Sequence, residues 1–347
     1  MSRVIWLIHA ACPSRCAYCA IETQQAQRSL GRDDAVAVAR DILRSGFREV
    51  ILVGGEPLLY PHLADVLETL RGRAQVAVFT GGIPGEPERS VELLRHGADR
   101  VVFSVDVGVD AENDLVRGRK GITRDVERLA EAVHAALPEV GLSVNTVVSR
   151  ANVRRLGTVW QRFERFGLDS WSLTLAGDNF GQSPAGSFVP LADLEELYLR
   201  TLPRMARALR GRAELVVLPV PLPFLERGLP IAHWDLAGAE WAEEVRRELE
   251  RFARGDHNAS FVAQHGCPLA GRDVTIGVNG EVHPCSQAPI LKPEHVVGHV
   301  RDGLSAVLAS ERARAFVEGV PHAPCRRCWA PSNVPRDELR RLVARSR

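Results

Sequence analysis

The sequence predicts an α/β protein in which a parallel sheet or barrel with helical crossovers precedes a small cysteine-rich C-terminal domain. Six short β-rich runs alternate with helical stretches over about the first half of the chain. Parallel strands require such crossovers, because a tight hairpin joins only antiparallel strands. Near-continuous apolar runs such as Val50–Val53 indicate strands that are covered on both faces.

Strands and helices are assigned in chain order from hydrophobic pattern and composition. The predicted strands are Val4–His9, Val50–Val53, Val76–Thr80, Val101–Val105, Leu142–Val148 and Trp171–Leu175. The predicted helices between them are Arg32–Ser45, Leu63–Arg71, Val91–His96, Arg124–Ala136 and Arg154–Phe166. In barrels of this kind the reactive residues collect at the carboxyl ends of the strands. Cysteine and glycine-rich segments follow the first three strands there: Cys12, Gly54-Gly55-Glu56 and Thr80-Gly81-Gly82.

The chain changes character after the sixth predicted strand. A loop rich in Gly, Ser and Pro precedes a helix over about 192–209, which Pro203 should kink or interrupt. The prolines of Leu218–Pro230 exclude a continuous helix or a central strand there. We expect a barrel domain over 1–215, a bridging segment over 216–262 and a C-terminal domain over 263–347, with an exposed amphipathic helix at Arg336–Arg347.

Composition narrows the classes of function. Lys+Arg at 44 against Asp+Glu at 43 gives a net charge of +1, so no nucleic-acid partner is expected. The first apolar stretch, Val4–Ile8, is too short for a signal-peptide core or a membrane span. Seven cysteines at short spacings suit metal binding in a reducing compartment better than disulfides. We therefore expect a cytoplasmic protein with no membrane partner.

The first cysteine group is Cys12, Cys16 and Cys19, on a loop directly after the first strand. Three thiolates on one loop can bind three corners of a cubane iron–sulfur cluster. The fourth iron then stays open, and an open position distinguishes a catalytic metal centre from a structural one. The alternative is a zinc site that His9 or a distant residue completes.

This Cys-x3-Cys-x2-Cys loop, with the aromatic Tyr18 before its third cysteine, resembles the signature of the radical S-adenosylmethionine (radical SAM) superfamily. The resemblance covers roughly residues 3 to 180 and implies a (βα)6 partial TIM barrel. It implies that a [4Fe–4S] cluster chelates S-adenosylmethionine through its open iron and cleaves it to a 5′-deoxyadenosyl radical. It also implies a flavodoxin- or ferredoxin-type reductant as partner.

The resemblance implies that Tyr18 binds the cofactor, and other positions also resemble cofactor contacts of the same family. Gly54-Gly55-Glu56-Pro57 resembles the second-strand motif, in which glycines admit the cofactor and the carboxylate receives its ammonium. Ser104 and Asp106 resemble positions that face the ribose and the substrate, while Asn145 and Leu175 lie where ribose and adenine contacts are usual. Plain barrel packing is the alternative for these last four residues.

The segment Asn113–Gly118 resembles the family loop that begins with His-Asp and ends in Arg-Gly. Asn113 departs from that pattern, as does Gly81, where many members carry asparagine. These departures bear on the subfamily and not on the superfamily.

The second cysteine group is Cys267, Cys285, Cys325 and Cys328. Val274–Val282 predicts a β-hairpin, because Asn279-Gly280 is a strong two-residue turn signal. A hairpin between Cys267 and Cys285 would fold these two thiols toward one point. Together with Cys325 and Cys328 they would form a closed site for zinc or for a second iron–sulfur cluster.

This second arrangement resembles the twitch, or half-size SPASM, domain, which carries one auxiliary [4Fe–4S] cluster. Three plus four ligands would use all seven cysteines. A closed cluster could accept an electron from a substrate radical, relay electrons or organise the pocket. If the cluster is only structural, a redox-neutral rearrangement or epimerisation is expected as much as an oxidation.

Catalytic residues beyond the cysteines are less defined. Arg150, Asp106 and His283 are candidates: Arg150 follows the fifth strand, and His283 lies two positions before Cys285. A surface arginine and a solvated turn histidine are the alternatives. Asp178 and Asn179 could bind substrate hydroxyls or begin a turn.

The resemblance implies an enzyme, a radical SAM oxidoreductase of the dehydrogenase type. The overall plan resembles the twitch-type aminocyclitol dehydrogenases. The expected substrate is therefore a small polar molecule such as a carbohydrate, aminocyclitol or nucleoside in natural-product biosynthesis. Because strand 1 begins within the first few residues, no N-terminal peptide-binding domain is expected. A peptide or protein maturase is the second hypothesis, and a non-catalytic zinc or iron–sulfur electron-transfer protein is the third.

Overall fold

The structure, a computed structural model, describes residues 3–19, 28–83, 85–177, 185–236, 239–257, 259–286 and 293–328. The predictions for Asp178, Asn179 and Arg336–Arg347 lie outside these residues. Among the helices within the described ranges, none is long and apolar enough to cross a membrane.

One sheet runs through the described chain. Its strands are β1 (Arg3–His9), β2 (Glu49–Gly54), β3 (Gln75–Thr80), β4 (Arg100–Ser104), β5 (Gly141–Val148), β6 (Ser170–Leu175), β7 (Glu214–Leu218), β8 (Val274–Ile276), β9 (Glu281–His283) and β10 (Gly298–His299). Their order across the sheet is β10-β9-β8-β1-β2-β3-β4-β5-β6-β7. Strands β1 to β7 are parallel to their neighbours, and the two ends of the sheet do not join. The predicted α/β partial barrel is confirmed as an open sheet.

Helices connect and cover the parallel strands. Between β1 and β6 they are α1 (Arg32–Arg44), α2 (Leu63–Leu70), α3 (Pro87–Arg95), α4 (Asp110–Arg117), α5 (Ile122–Ala136) and α6 (Leu156–Phe163). Beyond β6 they are α7 (Leu191–Glu196), α8 (Leu202–Ala208), α9 (Leu222–Glu226), α10 (Ala239–Phe252), α11 (Ala259–His265), α12 (Leu304–Ala309) and α13 (Glu311–Glu318). A π-helical stretch, Leu197–Thr201, separates α7 from α8 just before Pro203. The predicted interruption at Pro203 is therefore confirmed, since proline cannot donate the helical hydrogen bond.

Helix α4 and strand β7 are among the elements that were not predicted from the sequence. Helix α4 occupies the segment that was assigned to a loop. Its first turn is polar and acidic, so the amphipathic pattern of the helix is hard to recognise in the sequence. Strand β7 was not predicted because its run of apolar residues is only five residues long. The strand ends at the cis Leu218-Pro219 bond. Since β7 pairs with β6, the parallel sheet extends to Leu218, past the expected end of the barrel domain at residue 215.

The C-terminal hairpin is confirmed, and it joins the barrel sheet directly. Strands β8 and β9 are antiparallel, and β8 also pairs in parallel with β1. The Gly280 amide donates to the Gly277 carbonyl across the turn, so Val278 and Asn279 are its central residues. Gly280 itself follows with a φ of 95°, a left-handed conformation that favours glycine. The turn thus lies at the same end of the sheet as the cysteine loop after β1.

Alternate residues of each strand divide between two faces. One set packs with the helices in the main core, as Val144, Trp171 and Leu173 do. The opposite set faces the inner side of the open barrel. There Leu7 and Ala10 pack with Val278 of the hairpin turn, which closes one end of the inner face. This alternation decides which strand residues can reach a ligand in the barrel.

Backbone contact after β4 makes one glycine indispensable. A Cβ atom on Gly108 would lie 1.9 Å from the Thr158 carbonyl oxygen of α6. We expect Gly108→Ala to lower the free energy of unfolding by about 3 kcal/mol, because the backbone must move to relieve the overlap. Gly157→Ala, in the same α6, meets nothing within 4 Å and should stabilise by up to about 1 kcal/mol. Chemical denaturation of both variants checks the pair; equal stabilities would contradict the packing described.

His257 predicts a pH dependence of stability. It is 4% exposed, and burial lowers the pKa of its imidazole from 6.5 to about 4. The unfolded chain therefore gains a proton below pH 6.5 that the folded chain does not accept until about pH 4. Stability should fall by about 3 kcal/mol over this window. His257→Phe should flatten that part of the pH profile in denaturation experiments, and an unchanged acid slope would refute the assignment.

Candidate active site at the carboxyl ends of the strands

The cysteine loop after β1 is held to helix α4 by backbone hydrogen bonds. The amides of Arg15 and Ala17 donate to the carbonyls of Arg117 and Val116, at 3.2 and 3.1 Å. Gly118, at φ 61°, permits this approach, because a Cβ there would lie 2.2 Å from the Arg15 carbonyl oxygen. The Arg-Gly pair at the end of the loop after strand 4 is thus explained by contact with the cysteine loop.

The three thiols of this loop lie in one electrostatic environment. Burial raises the pKa of Cys12, and it raises the pKa of Cys16 to about 11. The neighbouring thiols raise both values further, while the guanidinium of Arg117 lowers them. Metal binding would have to displace protons from Cys12 and Cys16, and the positive charge of Arg117 favours that exchange.

Tyr18, between the second and third cysteines, connects the loop to β4 and α4. Its hydroxyl donates to Oδ2 of Asp106 at 2.6 Å and accepts from Nη1 of Arg117 at 2.5 Å. Arg117 also contacts Asp106 Oδ2 at 3.3 Å. Asp106 is 0% exposed and Arg117 is 9% exposed, so this pair of opposite charges is buried.

Asp106 was a candidate for the substrate or ribose contact, and the structure gives its carboxylate other partners. Oδ1 accepts from the amide of Val147 on β5, while Oδ2 serves Tyr18 and Arg117. All three donors to this fully buried carboxylate are therefore protein groups, on the cysteine loop, on α4 and on β5.

Gly54 and Gly55 bring the end of β2 against the segment that leads to the cysteines. The Gly55 amide donates to the His9 carbonyl at 2.6 Å. A Cβ on Gly55 would lie 2.3 Å from the Ala11 carbonyl oxygen, and one on Gly54 would lie 2.4 Å from that of His9. The close approach that these glycines allow is therefore to the chain itself, at the base of the cysteine loop.

Glu56 joins the ends of β2 and β3. Its Oε1 accepts from the Thr80 hydroxyl at 2.7 Å and from the Leu58 amide, and its Oε2 accepts from the Gly81 amide at 2.8 Å. Burial raises the pKa of this carboxyl, while those three hydrogen bonds and Arg119 lower it. Glu56 is 2% exposed, so a cofactor ammonium would have to use the remaining lone pairs at this edge.

A polar stripe crosses the inner face of the barrel. Ser104 on β4 is in register with Asn145 on β5, which is in register with Ser172 on β6. All three are half-buried, and the Thr174 hydroxyl lies 3.5 Å from Asn145 Oδ1. Hydroxyl and amide groups on adjacent strands can bind a ribose or another polyhydroxylated group.

Leu175, expected to contact adenine, lies on the other face. It has the parity of Trp171 and Leu173, is 4% exposed and belongs to the core between sheet and helices. The period of two along β6 turns it away from Ser104 and Asn145. The side chain of Leu175 thus lies in the core, and an adenine contact at this position stays a prediction.

The remaining candidates are Arg150 and His283. Arg150, exposed after β5, donates through its amide to the Ser187 carbonyl and through Nε to that of Phe188 at 3.5 Å. His283 is 7% exposed, and burial together with nearby His295 lowers its pKa to about 4. His283 is therefore a buried neutral imidazole beside Cys285, not a solvated one.

Three of the four cysteines of the second group pack at one apolar cluster, and the fourth packs elsewhere. Cys267, Cys325 and Cys328 pack around one apolar cluster that includes Phe261 and Leu269. Burial raises the pKa of Cys267 and Cys325, and the proximity of Cys267 raises that of Cys325 further. Cys285 packs against the main core, with its carbonyl accepting from Thr275.

The chemistry of the N-terminal donor set fits an iron–sulfur cluster. Within the described ranges, no three His, Cys, Asp or Glu side chains converge as the ligands of one metal ion would. The N-terminal set offers three thiols on one loop, with the buried cation Arg117 beside them, which suits an anionic cluster. The Nε atom of Arg117 is buried without a hydrogen-bond partner among the described residues.

Two arginines of the site were not selected from the sequence. Arg117 was seen only as part of an Arg-Gly motif, and Arg119 was not considered. Arg119 donates to the carbonyls of Gly82 and Gly81 at 3.1 and 3.0 Å and pairs with Asp125 at 3.4 Å. The signal available was two arginines flanking Gly118, between α4 and α5.

Two protein-family models match the chain. Residues 6–152 match the radical SAM superfamily, and residues 267–329 match the SPASM iron–sulfur cluster-binding domain. These two matches imply S-adenosylmethionine and two [4Fe–4S] clusters as cofactors.

Relatives match the N-terminal part. A PqqA peptide cyclase of Streptomyces rochei is 30% identical over 149 residues, 42% of this chain and 40% of that protein. A GTP 3′,8-cyclase of Mycobacterium sp. (strain KMS) is 35% identical over 146 residues, 40% of this chain and 41% of that protein. The matched region thus spans about two fifths of the curated relatives' length.

Solved structures share the whole fold at low identity. Streptococcus suis SuiB bound to its precursor peptide SuiA superposes with a TM-score of 0.66 at 14% identity, covering 95% of this chain and 70% of that chain. The protein anSMEcpe with bound AdoMet and a Cp18Cys peptide gives a TM-score of 0.64 at 15% identity, covering 94% and 85%. The likeness supports the fold of both regions of the sheet.

Proposed function

We propose that this chain, which contains a radical SAM domain and a C-terminal SPASM-type iron–sulfur domain, cleaves S-adenosylmethionine reductively and abstracts a hydrogen atom from its substrate. The observation that carries the proposal is the cysteine loop. Three thiols follow β1 at the carboxyl end of the sheet, and a buried arginine lies beside them. When bound, the cluster supplies the electron that breaks a carbon–sulfur bond of the cofactor and releases a 5′-deoxyadenosyl radical.

Different residues around the cysteine loop would ligate the cluster and contact the cofactor. Cys12, Cys16 and Cys19 would hold the cluster, and Glu56 and the Gly54-Gly55 turn would form the edge that meets the methionine end of the cofactor. Ser104 and Asn145 would contact the ribose from the inner face. Support for this arrangement comes from the shared edge, since Glu56 bonds Thr80 and Gly81 across the ends of two strands.

Cys267, Cys285, Cys325 and Cys328 would ligate the auxiliary cluster. Three of these residues surround one apolar cluster, which would keep water from the sulfur atoms and so influence the reduction potential. A cluster ligated by protein at every iron cannot bind S-adenosylmethionine. Its proposed role is to accept the electron that a substrate radical releases, which makes the overall reaction an oxidation.

For the substrate, a small polar molecule is the first candidate. The polar stripe of Ser104, Asn145, Ser172 and Thr174 supplies hydroxyl and amide groups on the inner face, some of which the cofactor would leave for substrate. A peptide is the second candidate, favoured by the 30% identity of the radical SAM domain to a peptide cyclase. A flavodoxin- or ferredoxin-type protein would deliver the electron.

Deuterium transfer tests this function and separates the two substrate classes. The reconstituted enzyme would be incubated with S-adenosylmethionine, dithionite and perdeuterated pools of either polyhydroxylated metabolites or peptides. Deuterium in 5′-deoxyadenosine identifies the class from which hydrogen is abstracted. The proposal fails if 5′-deoxyadenosine forms but acquires deuterium from neither pool, because the radical would then have no substrate of the proposed kinds.

A further inference from the structure

We propose that Tyr18, Asp106 and Arg117 form a brace that holds the cysteine loop in its cluster-binding shape before any iron is bound. The inference rests on the proposed function of that loop. It assigns the three residues a positioning role that neither domain match specifies.

The direction of each hydrogen bond in the brace is fixed by chemistry. A guanidinium only donates, so the Tyr18 oxygen must accept from Arg117. The single hydroxyl hydrogen of Tyr18 is then committed to Asp106 Oδ2, at 2.6 Å. Both bonds involve a charged partner, and such bonds are about twice as strong as neutral ones. The Tyr18 hydroxyl therefore has one orientation that satisfies both partners.

Asp106 is an anchor that the rest of the barrel holds in place. Its amide donates to Asn113 Oδ1, its carbonyl accepts from Asn152 Nδ2, and its Oδ1 accepts from the Val147 amide. Asn113 and Asn152 are themselves 0% exposed. A tyrosine bonded to such a carboxylate is tied to the ends of β4 and β5, which are three and four strands from β1 in the sheet.

Arg117 connects the brace to the backbone of the loop. Its carbonyl accepts from the Arg15 amide, while its side chain reaches Tyr18 from α4. The loop is thus held at three points. Arg15 lies directly before Cys16, and Ala17 and Tyr18 lie between Cys16 and Cys19. Because the same guanidinium lies near the thiols, moving it would change the charge seen by a cluster there.

Tyr18→Phe tests the brace with little change of volume and keeps the Asp106–Arg117 ion pair. Tyr198→Phe is the matched control, since its hydroxyl donates to the Pro219 carbonyl at 2.6 Å, remote in sequence from the cysteine loop. Hydrogen exchange would be followed by mass spectrometry on peptides spanning residues 12–19, in the full-length protein without iron. We expect exchange at the Arg15 and Ala17 amides to accelerate by about 10-fold or more in Tyr18→Phe only.

A second readout follows reconstitution. The electron paramagnetic resonance signal that changes when S-adenosylmethionine is added reports the N-terminal cluster. We expect this signal to be altered in Tyr18→Phe and in Arg117→Lys, and unchanged in Tyr198→Phe. Wild-type exchange rates together with a wild-type signal in Tyr18→Phe would overturn the brace. Because exchange is measured without iron, this outcome is distinct from a failure to cleave the cofactor.

Discussion

Cys16→Ala should abolish the formation of 5′-deoxyadenosine from S-adenosylmethionine and dithionite. Cys16 is the central thiol of the loop, and its sulfur shares an electrostatic environment with Cys12, Cys19 and Arg117. Two remaining thiolates cannot hold three corners of a cubane. The expected loss exceeds the roughly 10–100-fold that removal of an outer-shell partner causes at metal sites. Cofactor cleavage would be quantified by chromatography of the anaerobic reaction.

The iron content of the same variant provides the check on specificity. Two clusters predict about eight iron atoms per chain, and Cys16→Ala should retain about four. A variant that binds eight irons and still cleaves the cofactor would exclude Cys16 as a ligand. A variant that binds none would show that the substitution unfolds the protein, which circular dichroism detects.

The double substitution Cys325→Ala with Cys328→Ala should have the complementary effect. Both residues pack with Cys267 around one apolar cluster, so their loss removes two of the proposed ligands of the auxiliary site. We expect about four irons per chain to remain, cofactor cleavage to persist and oxidised product to fall by at least about 100-fold. Product would be measured by mass spectrometry once the deuterium experiment has identified the substrate class.

Metal analysis of the wild type separates the cluster from zinc at this site. About four irons plus one zinc would replace the auxiliary cluster with a structural metal, as tetrathiolate sites also bind zinc. Product formation that survives the double substitution would instead assign this domain a purely structural role. The redox-neutral outcomes, rearrangement or epimerisation, would then replace oxidation.

The barrel strands could be predicted because apolar runs punctuated by glycine mark them directly. Each of the six predicted strands lies within one residue of its observed bounds, as with Leu142–Val148 against Gly141–Val148. Strand β7 was not predicted because its five-residue apolar run continues directly into the proline-rich segment that follows. Its pairing with β6 is a long-range contact that no local pattern encodes.

The residues of the candidate site could be predicted only in part from the sequence. Cysteine spacing and the Gly-Gly-Glu segment located the site at the ends of β1 and β2. The partners of Asp106 depend on the packing of α4 against the cysteine loop. Tyr18 and Asp106 are almost 90 residues apart in the sequence, so no local pattern predicts their hydrogen bond. The side chain of Leu175, expected near the adenine, lies in the core because the period of two along β6 turns it there. Faces follow from register, which the sequence alone leaves open.

One measurement tests the central claim most directly. The full-length protein would be reconstituted anaerobically with iron and sulfide, and incubated with S-adenosylmethionine and dithionite. The account predicts 5′-deoxyadenosine and methionine in equal amounts, dependent on the reductant. A protein that carries its iron–sulfur clusters and yet forms no 5′-deoxyadenosine would contradict it.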